Sequence, residues 1–191
     1  TGANNVAIGV SALQGVAGQN HSNNTAIGYR AGYAIRTGSD NFFGGYQAAN
    51  AVTTGTYNVV TGVQAGYAIT TGNNNTITGY TAGYNLTTPT TGAYNVAIGI
   101  DASKYNQTGN ANIAVGRNAL RGVSGNSHAA NTAIGYGAGS YNSTGGNNFY
   151  GGMNSGFYNA TGSNNVAVGY SALFGASGQS HTMNTAIGFS A

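Results

Sequence analysis

His21, His128 and His181 are the side chains of this chain best suited to chemistry. Imidazole is the commonest protein metal ligand and titrates near neutrality. Each His ends the same kind of segment: Ser-Ala-Leu-Gln-Gly-Val-Ala-Gly-Gln-Asn-His over 11–21, Asn-Ala-Leu-Arg-Gly-Val-Ser-Gly-Asn-Ser-His over 118–128, and Ser-Ala-Leu-Phe-Gly-Ala-Ser-Gly-Gln-Ser-His over 171–181. Across a threefold axis, each would be a candidate metal or anion ligand. Within one chain they cannot share an ion, because His128 and His181 lie three repeats apart, roughly 14 Å at about 4.8 Å per repeat. The chain has no Cys and no carboxylate close to these residues in sequence, so a full ligand set is missing and no metal is expected. The simpler reading is a polar loop residue that hydrogen-bonds its turn.

Catalytic material is equally sparse. Asp40 and Asp101 are the only acids, about four repeats apart, too far for the paired carboxylates of glycosidases. Gly44-Gly45 has no following Lys-Ser or helix, so it is not a phosphate loop. No Ser-His-Asp arrangement stands apart from the repeat. The chain reads as a non-enzyme without a cofactor.

The element that positions these residues is the repeat itself. Asn24-Thr25-Ala26-Ile27-Gly28-Tyr29 recurs along the whole chain, and each copy opens with Asn and has Gly four residues later. The pairs are Asn5 and Gly9, Asn24 and Gly28, Asn41 and Gly45, Asn58 and Gly62, Asn75 and Gly79, Asn95 and Gly99, Asn112 and Gly116, Asn131 and Gly135, Asn148 and Gly152, Asn165 and Gly169, and Asn184 and Gly188. The steps between successive Asn residues are 17, 19 or 20 residues. A period this short means a solenoid. It is too short for two helices and a turn, and frequent Gly disfavours helix by about 1 kcal/mol each. The expectation is an all-β, repetitive parallel β-solenoid with coils of about 17–20 residues, stacked as two parallel sheets. Residues 1–191 form one such segment of eleven coils. It begins and ends inside repeats, which reads as a fragment of a longer fibre.

Composition narrows the classes. Only 4% of residues are charged, and there are 34 Gly, 14 Tyr and 6 Phe. So many rings and so few charges do not describe a disordered chain. Arg30, Arg36, Lys104, Arg117 and Arg121 do not cluster in one run, so no nucleic-acid partner is expected. No apolar run is long enough to insert in a membrane.

Within a coil, counting the opening Asn as position 0, the first strand runs from the Asn to the residue after the Gly. Positions 1, 3 and 5 share one face, as in Val6, Ile8 and Val10. Position 2 faces the other way and is mostly Ala, followed on that face by Gly. A strand that is apolar or small on both faces is normally covered on both. The expectation is an oligomer with the Ala-Gly face on the contact between chains. Position 6, which holds Ser11, Arg30, Gln47, Gln64, Thr81, Asp101, Asn118 and Asn154, is expected to face solvent. Turns follow at Thr37-Gly38, Thr54-Gly55, Thr71-Gly72, Thr91-Gly92, Thr108-Gly109, Thr144-Gly145 and Thr161-Gly162, where Gly is expected to supply a positive backbone angle. Pro89 marks a loop insertion between Thr87 and Gly92. The repeated Asn is expected to form an amide ladder. The Tyr residues are expected to cover the sheet edge more often than to bind sugars.

The recurring Val-Ala-Ile-Gly resembles the head repeats of trimeric autotransporter adhesins of the YadA-like kind, as also found in bacteriophage tail fibre proteins. The resemblance covers nearly the whole chain. It implies a left-handed β-roll, a homotrimer around one axis, and work outside the cell on a bacterial surface or a virion. The partners it implies are copies of the chain itself and a cell-surface glycan or protein receptor. The coils here are longer than the usual adhesin head coil and richer in Tyr. The leading expectation is a structural and adhesive fibre segment. The alternatives are an ice-binding or carbohydrate-binding β-solenoid, motivated by low charge and the Thr array, and a polysaccharide-degrading fibre, which the missing acid pair disfavours.

Overall fold

The computed structural model describes residues 2–15, 17–84 and 92–191. Among them there is no helix. Eleven three-residue strands form one parallel sheet in sequence order: β1 (Val6–Ile8), β2 (Thr25–Ile27), β3 (Phe42–Gly44), β4 (Val59–Thr61), β5 (Thr76–Thr78), β6 (Val96–Ile98), β7 (Ile113–Val115), β8 (Thr132–Ile134), β9 (Phe149–Gly151), β10 (Val166–Val168) and β11 (Thr185–Ile187). Each strand pairs with the next coil's strand without slippage, so Val6 meets Thr25, Ala7 meets Ala26 and Ile8 meets Ile27. This is a β-solenoid, one coil per repeat. The insertion expected around Pro89, and Thr91 beside Gly92, lie outside the described residues.

The strands are shorter than expected, and the expected second sheet is absent among the described residues. Backbone conformation gives the reason. Four positions in the coil carry positive φ: the residue before the Asn, the Gly at position 4, and positions 6 and 8. Around Asn58 these are Tyr57 at 58°, Gly62 at 131°, Gln64 at 54° and Gly66 at 53°. Left-handed residues at positions 6 and 8 turn the far flank into a succession of tight turns, which cannot pleat. That flank still stacks through coil-to-coil bonds, as when Ala49 N–H donates to the Ala65 carbonyl at 2.9 Å and Gly66 N–H to the Ala82 carbonyl at 2.8 Å.

The two faces of the sheet are reversed relative to expectation. Position 2 is buried inside its own chain: Ala26, Phe43, Val60, Ala97, Ala114, Ala133, Tyr150 and Ala167 are 0–1% exposed. They pack with the Ala residues at position 7, such as Ala31, Ala48 and Ala65, and with Ile35, Val52 and Ile69 at position 11. A coil of this length encloses little volume, so the inward row must be mostly small. The larger residues at positions 1, 3 and 5 point outward. Position 6, expected in solvent, is half-buried in most coils and buried at Thr81. Its left-handed backbone lays the side chain along the flank, where Gln64 Nε2 donates to Gln47 Oε1 at 3.0 Å.

Candidate functional site

The repeated Asn is an interior device. Each amide oxygen accepts the next Asn's backbone N–H at 2.9–3.1 Å. The same oxygen accepts that Asn's Nδ2–H at 2.8–3.4 Å. The second Nδ2 proton goes to a turn carbonyl three residues before the following Asn, as from Asn41 to Gly55, Asn58 to Gly72 and Asn95 to Gly109 at 2.9–3.0 Å. This is the expected ladder, and from Asn24 through Asn165 it is buried.

The turn glycines have a different cause from the one expected. Gly38, Gly55, Gly72, Gly92, Gly109, Gly145 and Gly162 do not have positive φ. A Cβ on Gly55 would lie 2.6 Å from the Gly72 carbonyl oxygen in the next coil, so close stacking excludes a side chain.

The His residues take the place of that Gly in the 19-residue coils. The His21 and His128 carbonyls accept from Asn5 and Asn112 Nδ2, both at 2.8 Å, and the His181 carbonyl accepts from Asn165. The backbone N–H of His128 donates to Asn106 Oδ1, and that of His181 to Asn159 Oδ1. The His128 ring is buried, and desolvation pushes its pKa down to about 4. Burial also lowers that of His21. The structure keeps the three rings in separate coils, and among the described residues no three His, Cys, Asp or Glu side chains come together.

Asp40 and Asp101 also stay apart. Asp40 accepts from Asn23 Nδ2 at 2.9 Å and from Ser39 Oγ at 2.7 Å. Asp101 pairs with Lys104 at 2.8 Å and accepts from Thr81. Burial alone would raise the Asp101 pKa, but the hydrogen bonds from Lys104 and Thr81 outweigh it and hold the carboxyl below its usual range.

The outward sheet face is a continuous, largely apolar surface. Its three rows run the length of the stack, with Val59 45%, Ile98 41% and Tyr80 55% exposed. Across the three rows, β1 to β11, Arg117 is the single charged residue, and its guanidinium sits 5.9 Å from the Tyr136 ring centroid. Tyr29 stacks on Tyr46, and Tyr170 on Phe189, along the position 5 row. On the far flank Tyr67 stacks on Tyr84, while Tyr141, Phe157, Tyr158 and Phe174 form a ring cluster. These rings pack mostly against one another between coils.

No protein-family model, no curated protein and no solved structure matches this chain. Sequence reasoning recognised that the strand is apolar or small on both faces and missed which of them is open. The cue was side-chain size, since Val, Ile, Phe and Tyr cannot all fit inside so short a coil.

Proposed function

We propose that this chain is a non-enzymatic shaft or head segment of an extracellular attachment fibre, assembled with copies of itself as a homotrimer. The observation that carries the reading is the outward sheet face, which carries one charge, Arg117, along its whole length. At about 4.8 Å per strand, the sheet is roughly 50 Å long and three side-chain rows wide, on the order of 700 Å². That approaches the ~800 Å² each partner gives to a stable interface. Exposed apolar patches beyond a few hundred Å² mark interaction sites. A face that repeats with every coil is best covered by a surface repeating at the same interval, which another copy supplies. The resemblance to adhesin heads and tail fibres supports a bacterial surface or virion setting, with a cell-surface glycan or protein as receptor.

Sedimentation equilibrium of the chain tests this reading. A trimer is expected, and Val59→Lys with Ile98→Lys should return it to monomers by placing charge on the contact. A folded monomer of the unaltered chain overturns it.

An ice-binding solenoid draws on a second surface. Thr37, Thr54, Thr71, Thr108, Thr144 and Thr161 form an exposed hydroxyl row beside the turn glycines. Part of that row is self-satisfied, since Thr108 Oγ1 donates to Ser127 Oγ at 2.9 Å. Thermal hysteresis in a dilute solution of the chain would favour this reading, and its absence removes it.

A further inference from the structure

We propose that the paired tyrosines of the far flank are sites of oxidative cross-linking, where a one-electron oxidant joins neighbouring coils by a carbon–carbon bond between rings. The proposal does not depend on the self-assembly reading above. Two pairs carry it. Tyr67 and Tyr84 stack with ring centroids 5.1 Å apart and 19° between planes. Tyr141 and Tyr158 stack with centroids 5.1 Å apart and 27° between planes. Each pair spans two consecutive coils. Rings at this separation stack offset, with the edge of one over the face of the next. Tyr141 is exposed and the other three rings are half-buried, so a small oxidant reaches both pairs from solvent.

Composition leaves tyrosine as the electron source. Trp and Cys, which yield an electron at least as readily, are absent, whereas Tyr occurs 14 times. The oxidant is a peroxide activated by a peroxidase. Hydrogen peroxide takes one electron and the phenolic proton from each of two rings and is reduced to two waters. The two phenoxyl radicals carry unpaired density on the carbons ortho to oxygen. Those carbons couple, and each ring then passes its ortho hydrogen back to its own oxygen. The product is a biaryl with both phenols intact, short of two hydrogen atoms. Proximity decides which rings couple, because a radical held beside its partner need not diffuse to find one. The swing from stacked to edge-on contact is a side-chain motion of picoseconds to nanoseconds. Each link closes one coil covalently and restrains the unfolded chain as a disulfide would, in a chain that has no Cys.

Other tyrosines set the contrast. Tyr57 and Tyr94 are more exposed than any other Tyr, yet neither belongs to a ring pair among the described residues. Tyr150 is fully buried, with its hydroxyl held by Asn159. Tyr29 and Tyr46 stack at 5.3 Å, but on the outward sheet face, which self-assembly would cover, so they are left out of the proposal.

The test treats the whole chain, at high dilution, with hydrogen peroxide and a haem peroxidase, then reads its peptides by mass spectrometry. Linked peptides joining Tyr67 to Tyr84 and Tyr141 to Tyr158 are expected, each lighter by two hydrogen atoms. The treated protein should still run as single chains on a denaturing gel. Tyr84→Phe and Tyr158→Phe keep the packed ring and remove the phenol, so each should abolish its own link and leave the other. Links confined to Tyr57 and Tyr94, links found only between chains, or tyrosine oxidation without any link would overturn the proposal. So would a Tyr67 or Tyr141 link of unchanged yield, to some other ring, in the variant that lacks its partner phenol.

Discussion

Asn75 gives two protons to one oxygen of Asn58: its backbone N–H and its side-chain Nδ2–H both reach Asn58 Oδ1 at 3.0 Å. Asn58 Nδ2 in turn donates to Asn41 Oδ1 at 3.1 Å and to the Gly72 carbonyl at 2.9 Å. Every hydrogen-bonding capacity of this buried amide is filled. Only a short primary amide can accept from one neighbour and donate to another while closing its own turn.

Asn58→Asp is therefore expected to be more damaging than Asn58→Ala. The carboxylate still accepts from Asn75, but its second oxygen faces Asn41 Oδ1 and the Gly72 carbonyl with no proton to offer. A buried unpaired charge costs about 3–5 kcal/mol, against about 1–3 kcal/mol for a buried partner left unsatisfied by Ala. Urea denaturation of both variants near neutrality checks the order. Acidification should recover part of the Asp variant's loss, because the protonated acid regains a donor.

Two kinds of positive-φ position should respond in opposite ways. At Gly45 φ is 129°, and a Cβ would lie 2.6 Å from the Gly62 oxygen. Gly45→Ala is expected to lose about 3 kcal/mol or more, from backbone strain joined to a collision. Tyr57 has φ 58° at the position where other coils place Asn4, Asn23 and Asn74. Asn tolerates this region better than Tyr, so Tyr57→Asn should gain up to about 1 kcal/mol. Thermal melts of the two variants read both signs.

The Asn and Gly positions made the coil length, the parallel register and the amide ladder legible in the sequence, since only a stacked repeat needs the same residue at the same interval. The orientation of the sheet was not legible from apolarity, because Ala26 and Ile27 both pass as core residues. Enclosed volume decides between them: Ala26 is buried, while Ile27 is 42% exposed. The turn glycines were legible as turns but not in their cause. The approach of the Gly72 oxygen to Gly55 belongs to the neighbouring coil and leaves no local signal. Burial of His128 was likewise hidden, because its segment is as polar as the exposed loops.

That burial predicts a pH dependence. The His128 pKa in the folded chain is about 4, below the 6.5 of a free imidazole. Between these values the unfolded chain binds the extra proton, so stability is complete above about pH 6.5 and falls as pH drops towards 4. The full loss is about 3 kcal/mol. Melting temperatures between pH 7 and pH 4 should decline along this curve. His128→Gly, which restores the residue most other coils carry there, should flatten it.

Tyr150 and Asn159 form a polar pair that another coil carries in apolar form. Tyr150 is fully buried at position 2 of its coil, and its hydroxyl accepts from Asn159 Nδ2 at 2.7 Å. In the coil that opens at Asn41, the same two positions hold Phe43 and Val52, both fully buried. Burial raises the Tyr150 pKa, so the hydroxyl stays neutral across the working range. Tyr150→Phe should cost about 1 kcal/mol, the net worth of one hydrogen bond. Asn159→Val should cost more, since Asn159 also donates to the Gly162 carbonyl and accepts from the His181 backbone. The double variant should fall short of the sum by about 1 kcal/mol, the coupling expected of neighbours that share a bond. Strict additivity in urea denaturation would show that the hydroxyl and the amide do not depend on each other.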